Sequence, residues 1–186
     1  MGESIDAYLQ KLESLGDGTQ FSATMHRMAP QSPLLENLSL AEIRLLGHFM
    51  RTYRVQPEQQ ILKEGDAGDF MLVIIAGRIE VSKRDSRDVP RVLALVGPGK
   101  TLGEMSMLDG EPRFASCIAR EASTIAVLTR DSLARVLTEQ PMLGAKVLME
   151  LSLMLSQRLR FTSNRLVDYF DRQRELHDEL QQHGLV

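Results

Sequence analysis

The sequence predicts a mainly β domain of the sandwich, barrel or roll class, flanked by helices, and three observations predict it. Between about Tyr53 and Leu128, short β-branched and aliphatic runs are separated by Gly, Pro and Asp. Apolar residues at helical spacing are confined to the two ends of the chain. A length of 186 residues, with 43% hydrophobic and 25% charged side chains, suits one domain with a proper core and is short for two.

Taken in order, residues 4 to 15 carry Ile5, Leu9, Leu12 and Leu15 at helical spacing, with Ser4 as N-cap and Gly16 and Gly18 as the stop, which predicts a short amphipathic helix. A polar stretch with Pro30 and Pro33 follows. Ser39 and Glu42 then form a capping-box pattern ahead of Ile43, Leu45, Leu46, Phe49 and Met50, predicting a second helix. Strands are expected at Phe70 to Ile75, Arg78 to Ser82, Val92 to Val96 and Thr124 to Leu128. Turns are expected at Gly65-Asp66, Gly68-Asp69, Ala76-Gly77, Pro98-Gly99 and Asp109-Gly110, with Gly65, Gly77 and Gly99 supplying positive φ. Glu104 to Leu108 lacks β alternation and reads as one helical turn.

Asp131 is placed to cap a helix through Leu133, Val136 and Leu137 that breaks at Pro141. The rest reads as helix, with Leu155, Leu159, Thr162, Leu166, Tyr169, Leu176 and Leu180 on alternating three- and four-residue steps and polar Thr162 and Gln173 in the seam. Such a stripe suits pairing with a second copy, or packing of a long helix on its own β domain. The expected organisation is an N-terminal helical extension (1–33), the β domain with flanking helices (34–140) and a C-terminal dimerisation or lid helix (141–186).

Several functions are disfavoured by composition. A formal net charge of −3 argues mildly against a nucleic-acid surface, and no apolar run approaches the roughly 20 residues of a membrane span. The start of the chain has no secretory pattern, and Asp6 stands where a myristoylation signal wants Ser or Thr. The single Cys117 allows no internal disulfide, so a cytoplasmic location is expected. His26, His48, His177 and His183 all lie outside the strand region, so a metal-dependent enzyme of the cupin type is not expected. Cys117 has no His nearby in sequence and reads as a buried, inert thiol. No catalytic residues, metal ligands or cofactor are expected.

The stretch Gly103-Glu104-Met105-Ser106-Met107-Leu108-Asp109-Gly110-Glu111-Pro112-Arg113-Phe114-Ala115-Ser116 carries the chemistry. A glycine admits close backbone approach, a short helix offers free N–H groups, and an arginine past a turn adds paired donors, which together suit an anion. Glu104, an acceptor, suits a sugar hydroxyl, so the set describes a phosphorylated sugar. Spacing alone leaves a surface ion pair between Glu104 and Arg113 as the competing explanation.

This stretch resembles the phosphate-binding cassette of the cyclic-nucleotide-binding domain family: Gly-Glu, a short hydrophobic helix, Gly-x-Pro-Arg, then small residues. The resemblance extends over Glu64-Gly65-Asp66, Ala76-Gly77-Arg78-Ile79-Glu80-Val81 and Pro98-Gly99, from roughly Leu34 to Tyr169, and implies a jelly-roll-like β-roll. It implies that Glu104 accepts from the ribose 2′-hydroxyl and that Arg113 pairs with the cyclic phosphate, with Gly103, Met105 and Ser106 in the same site and backbone N–H groups of Ser106, Phe114 and Ala115 as supporting donors. Leu102 stands where the family often has Phe, and Phe114 where it usually has Ala, Ser or Thr. A Thr there is associated with cyclic GMP preference, so cyclic AMP is the expected ligand, with cyclic GMP or another cyclic nucleotide as the alternative.

Gln157-Arg158-Leu159-Arg160-Phe161-Thr162-Ser163 resembles the dimer helix of the bacterial catabolite activator protein family. There an Arg-x-x-x-Thr-Ser stretch meets the ligand, which implies that Arg158, Thr162 and Ser163 contribute to the site and that the chain is a homodimer through its C-terminal helix. Arg158 and Thr162 stand at i and i+4, on one helical face. That family continues into a helix-turn-helix domain. Here 23 residues follow Ser163, and Asp168, Asp171, Glu175, Asp178 and Glu179 are acidic, so no nucleic-acid partner is expected. The expected function is a stand-alone cyclic nucleotide sensor that is not an enzyme and signals to an unidentified protein partner by moving its C-terminal helix. The alternatives are a β-roll interaction protein with Phe114 filling the pocket, and the sensor part of a transcription regulator lacking its DNA-binding domain.

Overall fold

Alternation in the strand region builds two antiparallel sheets whose inward rows share one core. The computed structural model describes residues 8–182, with side-chain surroundings through residue 175. The first sheet has the order β1 (Glu13–Asp17), β2 (Arg51–Val55), β9 (Ser123–Thr129), β4 (Phe70–Ala76), β7 (Thr101–Leu102). The second has the order β3 (Gln60–Leu62), β8 (Ser116–Ala119), β5 (Ile79–Arg84), β6 (Pro90–Val96). Tyr53 and Val55, Phe70, Leu72 and Ile74, and Ile125 and Val127 enter the core from the first sheet at every second position. Ile61, Ile79, Cys117 and Ala119 meet them from the second. The uninterrupted apolar run of β4 has a plain cause: Met71, Val73 and Ile75 on its other face are buried too. Helix α3 (Glu104–Asp109) packs against β4, and α4 (Arg130–Glu139) against β9.

The expected strands are present, and Gly65, Gly77 and Gly99 have φ of +83°, +88° and +84°, but Gly68-Asp69, expected as a turn, leads without one into β4. The helix expected over residues 4 to 15 is not. Its described part is a 3₁₀ turn at Leu9–Lys11 followed by β1, which pairs with β2 from Glu13↔Arg54 to Asp17↔Arg51. Ser4 and Ile5 lie outside the described residues. The spacing did mark buried side chains, since Leu9 and Leu12 belong to the roll core, but the strand edge of β2 offers this segment backbone partners that an isolated short helix would not have.

The polar stretch after Gly18 contains a helix, α1 (Ser22–Met28), which buries Met25 and Met28. Helix α2 (Leu40–His48) starts as expected: Glu42 N donates to Ser39 Oγ at 3.3 Å, and Ser39 N donates to Glu42 Oε2 at 2.8 Å. The cap of α4 is Thr129 rather than Asp131: Ser132 N donates to Thr129 Oγ1 at 3.0 Å, while Asp131 occupies the first turn, where its charge suits the helix dipole.

After Gln140 the chain enters α5 (Pro141–Gln182). The chain divides into two compact units, one ending at Glu150 and the other beginning at Leu151. Within the first, the start of α5 is fastened by Lys146 Nζ donating to Glu42 Oε1 at 2.6 Å and Asn37 Nδ2 donating to Glu150 Oε1 at 2.8 Å. In the second, every residue from Ser156 to Glu175 is exposed. Among the described residues no helix is long and apolar enough to cross a membrane.

Glu42 thus serves two helices at once. Lys146 first, and then the Ser39 amide and hydroxyl, hold its carboxyl down at about 2. Since the folded value lies below the ordinary 4.5, its contribution is present above 4.5 and is lost as the pH falls towards 2. Thermal melts against pH are expected to show Glu42→Gln less stable than the parent at neutral pH, with the gap closing over that acid window. Ser39→Ala is expected to cost about 1 kcal/mol.

Candidate functional site

Two glycines frame the short helix at the end of the roll. Gly103, φ +82°, turns the chain from β7 into α3, and Gly110, φ +79°, ends α3. Along α3, Glu104 (1% exposed), Ser106 and Met107 face inward, while Met105 and Leu108 are exposed. Arg130 holds the far end, its Nε donating to Met107 O at 2.6 Å and its Nη2 to Ser106 O at 2.8 Å.

Arg113 is buried, at 2% exposure. Its Nη1 donates to Phe70 O at 2.7 Å and Gly103 O at 3.1 Å, and its guanidinium lies 4.3 Å above the Phe70 ring. The backbone on either side is fixed as well: Arg113 N donates to Asp66 O at 2.8 Å, and Gly65 N donates to Arg113 O at 2.9 Å. Room for the guanidinium depends on two glycines. A Cβ at Gly68 would stand 1.9 Å from Arg113 Nε, and one at Gly103 would stand 2.7 Å from Nη1. Burial of both Glu104 and Arg113 removes the surface ion pair as an explanation for their spacing.

Phe114 does not fill the interior of the roll. It is 52% exposed, with Lys83 Nζ 4.1 Å from its ring centroid. The same ammonium donates to Phe114 O at 2.8 Å and pairs with Glu64 Oε1 at 3.0 Å. Glu64 Oε2 accepts from Arg84 N at 2.9 Å, and Glu64 N donates to Ser116 Oγ at 3.0 Å. The Arg84 amide first, then Lys83, hold the Glu64 carboxyl below its ordinary value.

In the first unit, Gly103, Glu104, Met105 and Ser106 thus form the start of α3, Arg113 reaches Gly103 O, and Phe114 and the half-buried Ala115 follow Arg113 in the chain, Phe114 against Lys83. Arg158, Thr162 and Ser163 stand on α5 in the second unit, all exposed. Sequence reading missed Gly68, Phe70, Lys83, Glu64 as a side chain, and Arg130, because each acts across a distance in sequence that no spacing rule reports. Cys117 is buried, and desolvation pushes its thiol up to about 12, an environment that suppresses the reactive thiolate. Among the described residues no group of three or more His, Cys, Asp or Glu side chains is placed to hold a metal ion.

A two-sheet roll with a glycine-framed helix, a buried carboxylate and a buried arginine has the donors and acceptor of a small-anion-binding domain. Residues 52–140 match the cyclic nucleotide-binding domain family. The fold resembles a crystal structure of a cyclic nucleotide-binding domain from Methylobacillus flagellatus KT, with a TM-score of 0.79 and 34% identity over 89% of this chain and 93% of that one. The chain belongs to the cyclic nucleotide-binding domain family. It is also 33% identical to the Cyclic AMP receptor protein of Thermus thermophilus, over 69% of this chain and 58% of that protein. With a cAMP-dependent protein kinase regulatory subunit of Yarrowia lipolytica it shares 29% identity, over 65% of this chain and 32% of that one. The chain thus spans a third to somewhat over half of the length of these two relatives.

Gly68→Ala tests the arginine seat without touching a charge. The added methyl is expected to force the guanidinium out of place, costing about 1–3 kcal/mol in denaturant unfolding. A substitution of similar size at Gly65, where a Cβ would meet nothing within 4 Å, gives the comparison for backbone strain alone.

Proposed function

We propose that this chain is a cyclic nucleotide sensor, that its ligand is cyclic AMP, and that it acts by regulation rather than catalysis. The observation that carries the reading is the seating of Arg113: a guanidinium at 2% exposure, held by two backbone carbonyls, an aromatic face and a glycine gap, one of those carbonyls belonging to Gly103, next in the chain to the equally buried Glu104. Burying a charge costs several kcal/mol, and the fold commits three separate segments to doing so. A cyclic nucleotide offers the matching chemistry, a phosphate for Arg113 and a 2′-hydroxyl for Glu104.

Support for cyclic AMP comes from the names of the Thermus and Yarrowia relatives and from Phe114, which has no hydroxyl to offer a guanine. Arg158, Thr162 and Ser163 are assigned to the adenine side of the ligand, two of them one turn apart on an exposed helix face. Leu159 (68% exposed), Leu166 (52%) and Tyr169 (56%) form the apolar stripe through which two copies pair. Ligand binding then shifts α5 or the dimer, because the two arrangements differ in affinity for the nucleotide, and presents a surface to a protein partner in the cytoplasm.

Calorimetry of the full chain with cyclic AMP, cyclic GMP and a cyclic dinucleotide tests the ligand. Cyclic AMP is expected to bind most tightly, and Arg113→Lys to weaken it by about 2 kcal/mol or more while the thermal melt shows a folded protein. Absence of heat with every nucleotide at millimolar concentration would point to the interaction-protein alternative. Sedimentation of the parent is expected to show a dimer, and Leu166→Arg a monomer. A monomeric parent would remove the α5 pairing.

A further inference from the structure

Among the described residues the two sheets have four edges, and three of them are protected. Strand β7, at one edge of the first sheet, has only two residues, and β1, at the other, begins with Glu13, ends with Asp17 and carries a register shift between Ser14 and Gly16. At one edge of the second sheet, β3 has three residues, two of them buried, and its register shifts as well. Short length, charge and irregular register all keep a further strand from adding to a sheet. Strand β6, the remaining edge, has seven residues, and after Pro90 and Arg91 it runs Val92-Leu93-Ala94-Leu95-Val96 without a charge.

This edge is open in its side chains as well as its backbone. Val92 is 62% exposed, Leu93 50% and Leu95 52%, and Ala94 is exposed beside them. The register against β5 sets Val92 opposite Ser82 and Leu95 opposite Glu80, on the face of the sheet away from Ile79 and Val81, which pack in the core. Leu93 is the extra residue of a bulge that leaves it uncovered. One side of β6 is hydrogen-bonded to β5, and the other meets no strand among the described residues. Exposed apolar side chains alone would suit a helix, but a row of open backbone N–H and C=O groups beside them suits another extended strand.

We infer that β6 is a self-association edge, pairing antiparallel with β6 of a second copy of this chain about a two-fold axis. The apolar stretch is complementary to itself. An axis through Ala94, its middle residue, sets Leu93 against Leu95 of the second copy and Val92 against its Val96, while the nearest charged residue, Arg91, falls against Gly97 rather than a like charge. Arg91 is already paired with Asp85 of its own hairpin, at 2.9 Å, so no charge is left to be matched across the contact. About five residues a side is far below the roughly 20–30 a side of a standard interface, so the pairing is weak by itself and forms at high protein concentration. It uses neither α5 nor the nucleotide site, so it links copies already paired through α5, or acts without that pairing, and it stands apart from the function proposed above.

The test is sedimentation of the full chain carrying Leu166→Arg, which takes α5 pairing out of the measurement, from low-micromolar to near-millimolar concentration. A monomer that dimerises reversibly towards the upper end is expected. Adding Leu95→Lys, a charge on the open edge, should weaken that dimer about tenfold or more, while adding Met149→Lys, a charge at a comparably exposed apolar position of α5 (65%), should leave it unchanged. Hydrogen exchange on the same samples is expected to slow at the amides of residues 92–96 as concentration rises, a change that side-chain contact alone would not produce, and thermal melts confirm that each variant is folded. A monomer at every concentration overturns the inference. So does a dimer that Leu95→Lys leaves intact, one that Met149→Lys weakens equally, or one that forms without slower exchange in β6. None of these outcomes bears on nucleotide binding, which the calorimetry decides separately.

Discussion

The rest of the site depends on one buried cation. The Arg113 guanidinium is held from the first sheet, and the Arg113 backbone is held beside the second. Phe70, which supplies a carbonyl and a ring, opens β4 of the first sheet, and Gly103 follows β7 of the same sheet. Arg113 itself leads into β8 of the second sheet, beside the turn at Gly65 and Asp66 that follows β3. A charge removed from water must be matched on all sides, so each of these segments is constrained by the same few atoms.

That constraint accounts for the glycines better than turn geometry alone does. Gly68 needs no positive φ, but a methyl there would collide with Arg113 Nε. Gly103 needs both the left-handed backbone and the space. Helix α3 is then held from its two ends, by Gly103 at the start and by the Arg130 contacts to the Ser106 and Met107 carbonyls at the finish. The helix that carries Glu104 is thereby fixed relative to the arginine, which is what recognition of a small rigid ligand requires.

How much was legible in the sequence follows from the range over which each signal acts. The capping box of Ser39 and Glu42, the strand runs and the positive-φ turns are local, and each was found where the sequence placed it. The segment from Gly103 to Ser116 was legible as a unit because a turn, a short helix and an arginine all fall within one stretch. Local signals misled where tertiary pairing competed: Leu9 and Leu12 have helical spacing but lie in the roll core beside β1, and Thr129, the last residue of a strand, caps α4 in place of Asp131. Helix α1 was missed because seven residues carry too few periods to rise above the neighbouring glycines and prolines.

By itself, then, the sequence determined the β-rich class, four of its strands and the positive-φ turns, because those depend on alternation and on backbone conformations that a few residue types allow, while the cassette was legible through its resemblance to a family. Only the tertiary structure decided that Arg113 and Glu104 are buried rather than paired at the surface, that Phe114 stands half open against Lys83 instead of plugging the roll, and that Glu13–Asp17 is a strand. Burial and long-range pairing are properties of where distant segments meet, and residues as far apart as Gly68 and Arg113, or Lys83 and Phe114, carry no mark of that meeting until the two sheets close.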